Sequence, residues 1–414
     1  MARSSYGKLV AYLAARTRDV AGAEDALSEA FAAALADWPV SGIPRAPEAW
    51  LLTVARRRLI DAARRRRTTD EAAPTLALVA SEFADADDGH EIPDERLRLM
   101  FACAHPAIDP AIRAPLILQT VLGLDAATIA SAFLIAPSTM GQRLVRAKRR
   151  IRRAGIPFRV PEREELAERL GAVLEALYAI YAEGWSDPAG AHSRSRGLTA
   201  EAIWLARLVV ALLPTEPEAL GLLALMLHAE ARREARRGVN GEFVPLDAQD
   251  AERWNTALID EAEELLMKAS RAGTPGRFQL EAAVQSVHAA RRLTRRTDWF
   301  AIVALYDALF SMTGSVVVAI NRAVADAAAT GDLDGAARGL AALDRLSAES
   351  EIAHYQPYWA ARAALLARAD APAEAADAYR CAIGLETDPA VRAHLQSELA
   401  RLLDRAGLSP TRAH

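Results

Sequence analysis

Apolar residues recur three or four positions apart along almost the whole chain, and no run alternates with period two. The pattern therefore predicts an all-α fold. Helical patterning covers 6–17 and 20–37, the second ending at Trp38-Pro39. The stretch Pro39–Pro47 holds three prolines and a glycine and reads as a loop, with Pro47 placed to start a helix over Glu48–Arg67. Residues 68–93 scatter Thr68, Thr69, Pro74, Ser81 and Gly89 among carboxylates and close at Pro93. They read as an acidic linker, with a short helix around Leu76–Ala80. Helical patterns resume at Asp94–Ala104, Pro110–Leu122, Asp125–Phe133 and Ser138–Arg153, and Gly155 and Pro157 end that block.

From Glu162 onward, helix follows helix, and a repeat is visible. Ile302, Tyr306 and Leu309 stand 34 residues before Ala336, Leu340 and Leu343, and a third copy follows at Ala375, Tyr379 and Ala382, offset by five residues. Ala290, Val324 and Ala363 precede them at matching places, with Thr297, Gly331 and Asp370 at the turns. This is the rhythm of a tetratricopeptide-like helix pair, whose period of about 34 residues lets neighbours stack into one core. An Ala-rich helical bundle without repeats is the competing reading. The expected organisation is two small helical modules at 1–67 and 94–155, the linker 68–93 between them, and a helical extension over 156–414.

Charge sharpens this division. The whole chain of 414 residues carries a net charge of −4. Residues 1–160 carry 23 Lys+Arg against 18 Asp+Glu, whereas 161–414 carry 27 against 36. Nine of the carboxylates before residue 160 fall in 68–95, which has no Lys or Arg, so the two flanking modules are strongly basic. Segregation of this kind suits nucleic-acid contact by the modules. Cys103 and Cys381 give no disulfide framework, no run of about 20 apolar residues is present, and the first residues lack the order of a secretory signal. A cytoplasmic protein without membrane association is expected.

The segment Gly123–Arg153 reads as a helix-turn-helix. Asp125 caps a first helix whose Ile129, Phe133 and Leu134 face inward, Ala136-Pro137 breaks it, and Ser138 caps the second. Met140, Leu144, Ala147 and Ile151 form the buried stripe of that second helix; Thr139, Gln142, Arg143 and Arg146 lie on its other side, where a recognition helix meets the major groove. Arg143 and Arg146 suit guanine edges and Gln142 adenine; Lys148, Arg149, Arg150, Arg152 and Arg153 suit phosphates. The second basic module, WLLTVARRRLIDAARRRR (Trp50–Arg67), has an apolar face of Trp50, Leu51, Val54 and Leu59 ringed by arginines, with Asp61 in reach of Arg57, Arg58 or Arg64. A basic helix behind a proline-rich loop suits a protein that holds melted DNA.

Together, Ala23–Trp38, Trp50–Arg66 and Leu124–Arg152 resemble the two domains of extracytoplasmic-function sigma factors of the sigma-70 family, in order, spacing and acidic linker. The resemblance implies that Glu24, Asp25, Glu29 and Phe31 lie on the helix that docks onto core RNA polymerase. It implies that Trp50, Arg56, Arg57, Arg58, Asp61 and Arg64 read the −10 element of promoter DNA. Ser138, Thr139, Gln142, Arg143, Arg146, Lys148 and Arg149 would serve the −35 element. Gly141 stands where relatives often carry Lys, Arg57 where many carry Asn, and the first helix is several residues shorter than in relatives. DERLRLMFACAHPAI (Asp94–Ile108), LYAIYAEGWSD (Leu177–Asp187) and DWFAIVALYDAL (Asp298–Leu309) resemble a branch with a tetratricopeptide-like C-terminal domain, which is thought to regulate the sigma core or bind a protein or peptide partner. Trp204, Trp254, Trp299, Tyr306, Tyr358 and Trp359 would line its groove or pack its core.

Chemistry of other kinds finds little support. Cys103 and His105, even with His90, fall short of a metal site. Glu183, Gly184, Trp185 and Asp187 show no nucleophile–base arrangement, and no GxxxxGK loop is present. No enzyme, metal or cofactor is expected. Two other readings compete: a helix-turn-helix regulator that binds duplex DNA alone, its second basic helix being structural, and an interaction scaffold whose acidic repeats do the work.

Overall fold

The computed structural model describes residues 2–66, 94–133, 135–185, 193–346 and 352–407. It is all-α, and among the described residues the only β pairing is an isolated bridge between Arg237 and Phe243. The acidic linker 68–93 and Asp187 lie outside the described residues, as do the side chains of Arg64, Glu183 and Trp185. The chain divides into two compact units, 1–180 and 181–414.

In the first unit, α1 (Ala2–Thr17), α2 (Val20–Ser41) and α3 (Pro47–Arg66) form a bundle. Helix α2 runs one turn past the expected stop, through Pro39. It ends where Gly42, at φ 85°, donates its N–H to the Trp38 carbonyl. A proline in a last turn forfeits one hydrogen bond without blocking the helix ahead of it, so the loop is only 42–46. Helix α3 starts at Pro47 as expected.

Four further helices follow: α4 (Arg96–Cys103), α5 (Pro110–Leu122), α6 (Ala126–Ala132) and α7 (Pro137–Arg153). Asp125 caps α6 by accepting from the backbone N–H groups of Ala127 and Thr128 and from the Thr128 hydroxyl; the Thr128 bonds hold its carboxyl below the usual range. At α7 the expectation of a Ser138 cap fails. Ala136 is the N-cap residue without a side-chain bond and Pro137 opens the helix, because a fixed φ and a missing N–H cost nothing at that position. The stripe Met140, Leu144, Ala147 and Ile151 is buried as the periodicity required.

The sequence divides the two basic segments by the linker. In the structure both lie in one compact unit: α1 packs on α4 and α5, and α2 on α7. Leu9, Leu13, Leu27, Leu99, Phe101, Leu116, Ile117 and Met140 are all sealed from solvent in it, each worth about 1.5–3 kcal/mol of burial. At Gly7 the α1 backbone approaches α5 so closely that a Cβ would stand 1.8 Å from the Val121 carbonyl oxygen. Helix α8 (Arg163–Trp185) continues beyond this bundle.

The second unit is a succession of helices, each packed on the next: α9 (Ser193–Leu212), α10 (Pro217–Ala231), α11 (Thr256–Ser270), α12 (Arg277–Ala289), α13 (Trp299–Thr313), α14 (Val316–Thr330), α15 (Leu333–Leu346), α16 (Gln356–Arg368), α17 (Pro372–Leu385) and α18 (Pro389–Arg405). Ile302, Leu309, Ala336, Leu343, Ala375, Tyr379 and Ala382, singled out by the repeat, are buried. Gly331 and Asp370 adopt left-handed backbone at the α14–α15 and α16–α17 turns, whereas before α13 that conformation falls on Arg295 and not on Thr297. Trp254 and Tyr358 are core residues; Trp204 is exposed.

Candidate nucleic-acid interface

Helix α7 has three sides. The apolar stripe faces the core. A second side faces α2: Lys148 forms an ion pair with Glu24 in which both side chains are nearly buried, and Arg152 reaches Asp19 at 3.3 Å. Asp19 also caps α2 by accepting from the Gly22 N–H at 3.1 Å. Burial pushes the Glu24 carboxyl up against the opposing pull of Lys148. Arg143, Arg146, Arg149 and Arg150 make up the third side, and no carboxylate among the described residues pairs with them.

Beside that third side lies a cleft of about 500 Å³, with Arg143, Arg146 and Arg150 on one wall and Ile108, Asp109 and Ile112 on the other. Asp109 is engaged as the cap of α5, accepting from Ala111 N–H at 3.0 Å. The opposite wall is braced from behind by Arg113, itself 8 % exposed. Its guanidinium donates to the carbonyls of Ile108 (3.0 Å), Pro106 (3.2 Å) and Glu168 (3.2 Å). Thr139 is half-buried at the start of α7; Ser138 and Gln142 are exposed there.

Helix α3 divides likewise. Trp50 is half-buried and meets Trp38 edge to face at 5.5 Å. Arg56, expected at DNA, donates to the Tyr12 hydroxyl at 2.8 Å and belongs to the packing of α3 on α1. Arg58 pairs with Glu29 at 3.2 Å, both about half exposed. Arg57 and Asp61 are exposed, and the Arg57 guanidinium has no ion pair among the described residues. Of the residues assigned to polymerase, Asp25 and Glu29 are exposed, and Phe31 is half-buried with its ring stacked on Tyr6 at 6.5 Å. Glu24 and Lys148, assigned to two different partners, are thus spent on each other.

Cys103 is buried 3.5 Å from the Thr120 hydroxyl; burial pushes its thiol up to about 12 against the opposing pull of that hydroxyl. The ring Nδ1 of His105 accepts from Ala107 N–H. No three metal-ligating side chains gather among the described residues, and no described helix is long and apolar enough to cross a membrane. Sequence reasoning missed Arg113, Tyr12 and Gly7. Arg113 was signalled by a lone arginine in the apolar run PAIRAPLIL and Gly7 by a lone glycine inside a helical pattern, whereas Tyr12 had no signal.

Residues 1–69, which hold α1–α3 with their Trp50 and arginine set, match the family Sigma-70 region 2. The chain thus carries a sigma-70 region 2 domain. Residues 169–270 match a family of unknown function (DUF6596). The chain is 38 % identical over 386 residues to the uncharacterized protein R00370 of Rhizobium meliloti (strain 1021), covering 92 % of this chain and 90 % of that protein. No solved structure matches.

Proposed function

We propose that this chain is an extracytoplasmic-function type sigma factor that gives core RNA polymerase its promoter choice in the cytoplasm. In this reading it binds and positions, and the chemistry is the polymerase's. Helix α3 and the 42–46 loop engage the −10 element. Helices α6 and α7 act as the helix-turn-helix for the −35 element, and the helical array after residue 180 is a tetratricopeptide-like domain that regulates the factor or binds a protein or peptide. The observation that carries the reading is the third side of α7: Arg143, Arg146, Arg149 and Arg150 stand without a carboxylate partner among the described residues, on a helix whose opposite stripe is sealed into the core. Guanidinium groups in a row with no carboxylate to neutralise them serve phosphate and guanine edges.

The reading has a geometric consequence. A compact unit of 180 residues has a radius of gyration of about 16 Å and is roughly 40 Å across. The two promoter elements, about 25 base pairs apart by their names, are separated by roughly 85 Å of duplex. The packed form cannot reach both. Promoter binding therefore requires α1 to leave α4–α5 and α2 to leave α7, exchanging the Glu24–Lys148 and Asp19–Arg152 pairs for polymerase and DNA contacts.

A second reading has its own observation. Arg56 and Arg58 are committed to Tyr12 and Glu29, as a regulator that binds duplex DNA alone with a structural second helix would have them. Run-off transcription with purified core polymerase separates the two. Specific transcripts only with chain and core together support the sigma factor; a tight footprint by the chain alone and no added transcripts support the regulator.

A further inference from the structure

We infer that Arg113 is a positioning residue for duplex reading and that it couples the arginine row of α7 to α8, the first helix of the extension. The inference rests on the helix-turn-helix reading of α6–α7.

Three observations converge on this side chain. First, Arg113 is almost fully buried on a helix whose buried face is otherwise apolar except for Thr120. A guanidinium taken out of water is retained only where its donors are satisfied. Second, the acceptors it has found are all main-chain carbonyls: Pro106 and Ile108 in the corner between α4 and α5, and Glu168 on α8. A planar fork with directed N–H groups fixes three carbonyls at once in a way that an ammonium on a flexible stem cannot. Third, that corner is the far wall of the cleft whose near wall is Arg143, Arg146 and Arg150. The width of the cleft, and with it the aim of the arginines along a groove, is set by where the corner stands. One anchor of the corner belongs to α8, within the segment that matches no part of the sigma-70 region 2 family. A shift of α8 thus moves the wall against which the reading helix is registered.

Arg113 itself is not among the residues that line the cleft and contributes geometry, not a phosphate contact. This separates it from a residue that acts by charge. The test uses the full-length chain with core polymerase. Discrimination is read as the ratio of affinities for promoters with an intact and a scrambled −35 element. Arg113→Met is expected to lower this ratio on the order of tenfold, the scale of one well-placed base contact, while polymerase affinity and the salt slope of DNA binding stay as in the wild type. Arg113→Lys keeps the charge and loses the fork, so its ratio should fall nearly as far.

A wild-type ratio with Arg113→Lys shows that charge alone matters and overturns the proposal. So does a salt slope reduced by about one, which marks a lost phosphate contact. Coupling to α8 is read by amide exchange: duplex binding should slow exchange in 163–180 of the wild type and not of Arg113→Met. Exchange there that ignores DNA in the wild type overturns the coupling. If the wild type itself shows no −35 discrimination, the sigma-factor reading fails first and this inference falls with it.

Discussion

Gly7 gives the sharpest test of the packed first unit. Replacing a glycine inside a helix by alanine ordinarily stabilises it by up to about 1 kcal/mol. At Gly171, in α8, a Cβ would meet nothing within 4 Å, so Gly171→Ala should show that gain. At Gly7 the added methyl would stand 1.8 Å from the Val121 carbonyl oxygen and 2.9 Å from its carbon. Relief to ordinary contact at about 3.2 Å demands that α1 and α5 separate by more than 1 Å, and backbone cannot rotate aside as a side chain can. Overpacking of this kind costs typically 1–3 kcal/mol. The two alanine variants should therefore differ in stability by about 1–3 kcal/mol although the chemical change is the same. Urea unfolding of both full-length variants measures the difference, and amide exchange in α1 and α5 localises it. Equal stabilisation by the two substitutions would refute the close approach of α1 to α5, and with it the packed form of the first unit.

Lys148→Met leaves Glu24 nearly buried without its partner and should destabilise the first unit by about 3 kcal/mol in the same unfolding assay; a neutral outcome would mean that the pair is solvated. Because burial holds the Glu24 carboxyl above its ordinary range, its stabilising contribution is present at low pH and lost as pH rises through the raised value. Glu24→Gln should accordingly be better tolerated at pH 7 than at pH 4, and the reverse order would contradict that sign. His228, buried on α10 with neither ring nitrogen hydrogen-bonded, is held down to about 4 by burial. Its neutral form supports the fold above pH 6.5, and on the order of 3 kcal/mol should be lost as pH falls toward 4. His228→Met should flatten that acid limb of the melting curve. Arg143→Ala with Arg146→Ala should abolish −35 selection at unchanged polymerase affinity; loss of polymerase binding would contradict the division of labour.

Much of the architecture was legible because it is local. The buried stripe of α7, the Asp125 cap and the Pro47 start depend on residues within a turn or two of one another. Two local readings failed for equally local reasons: proline is tolerated in the last turn of α2, and Pro137 displaced Ser138 from the cap of α7. What the sequence could not carry was the union of the two basic segments. The Gly7–Val121 approach and the Glu24–Lys148 pair join positions more than a hundred residues apart, and no local pattern announces either. The hydrogen bond from Arg56 to the Tyr12 hydroxyl, 44 residues away in the chain, was equally out of reach of local pattern. Arg113 was visible as an arginine among apolar residues, but the carbonyls it holds have no sequence signature.

The opening of the first unit on a promoter is the claim most directly open to measurement. Thr53 on α3 and Val145 on α7 are both exposed, so Thr53→Cys and Val145→Cys, with Cys381→Ser to remove the other exposed thiol, accept a donor and an acceptor dye. Energy transfer should be efficient in the free chain, where both labels lie in a body roughly 40 Å across. It should fall almost to nothing in the promoter complex with polymerase, where roughly 85 Å of duplex separates the two elements. Transfer that stays high in a transcribing complex would contradict the account.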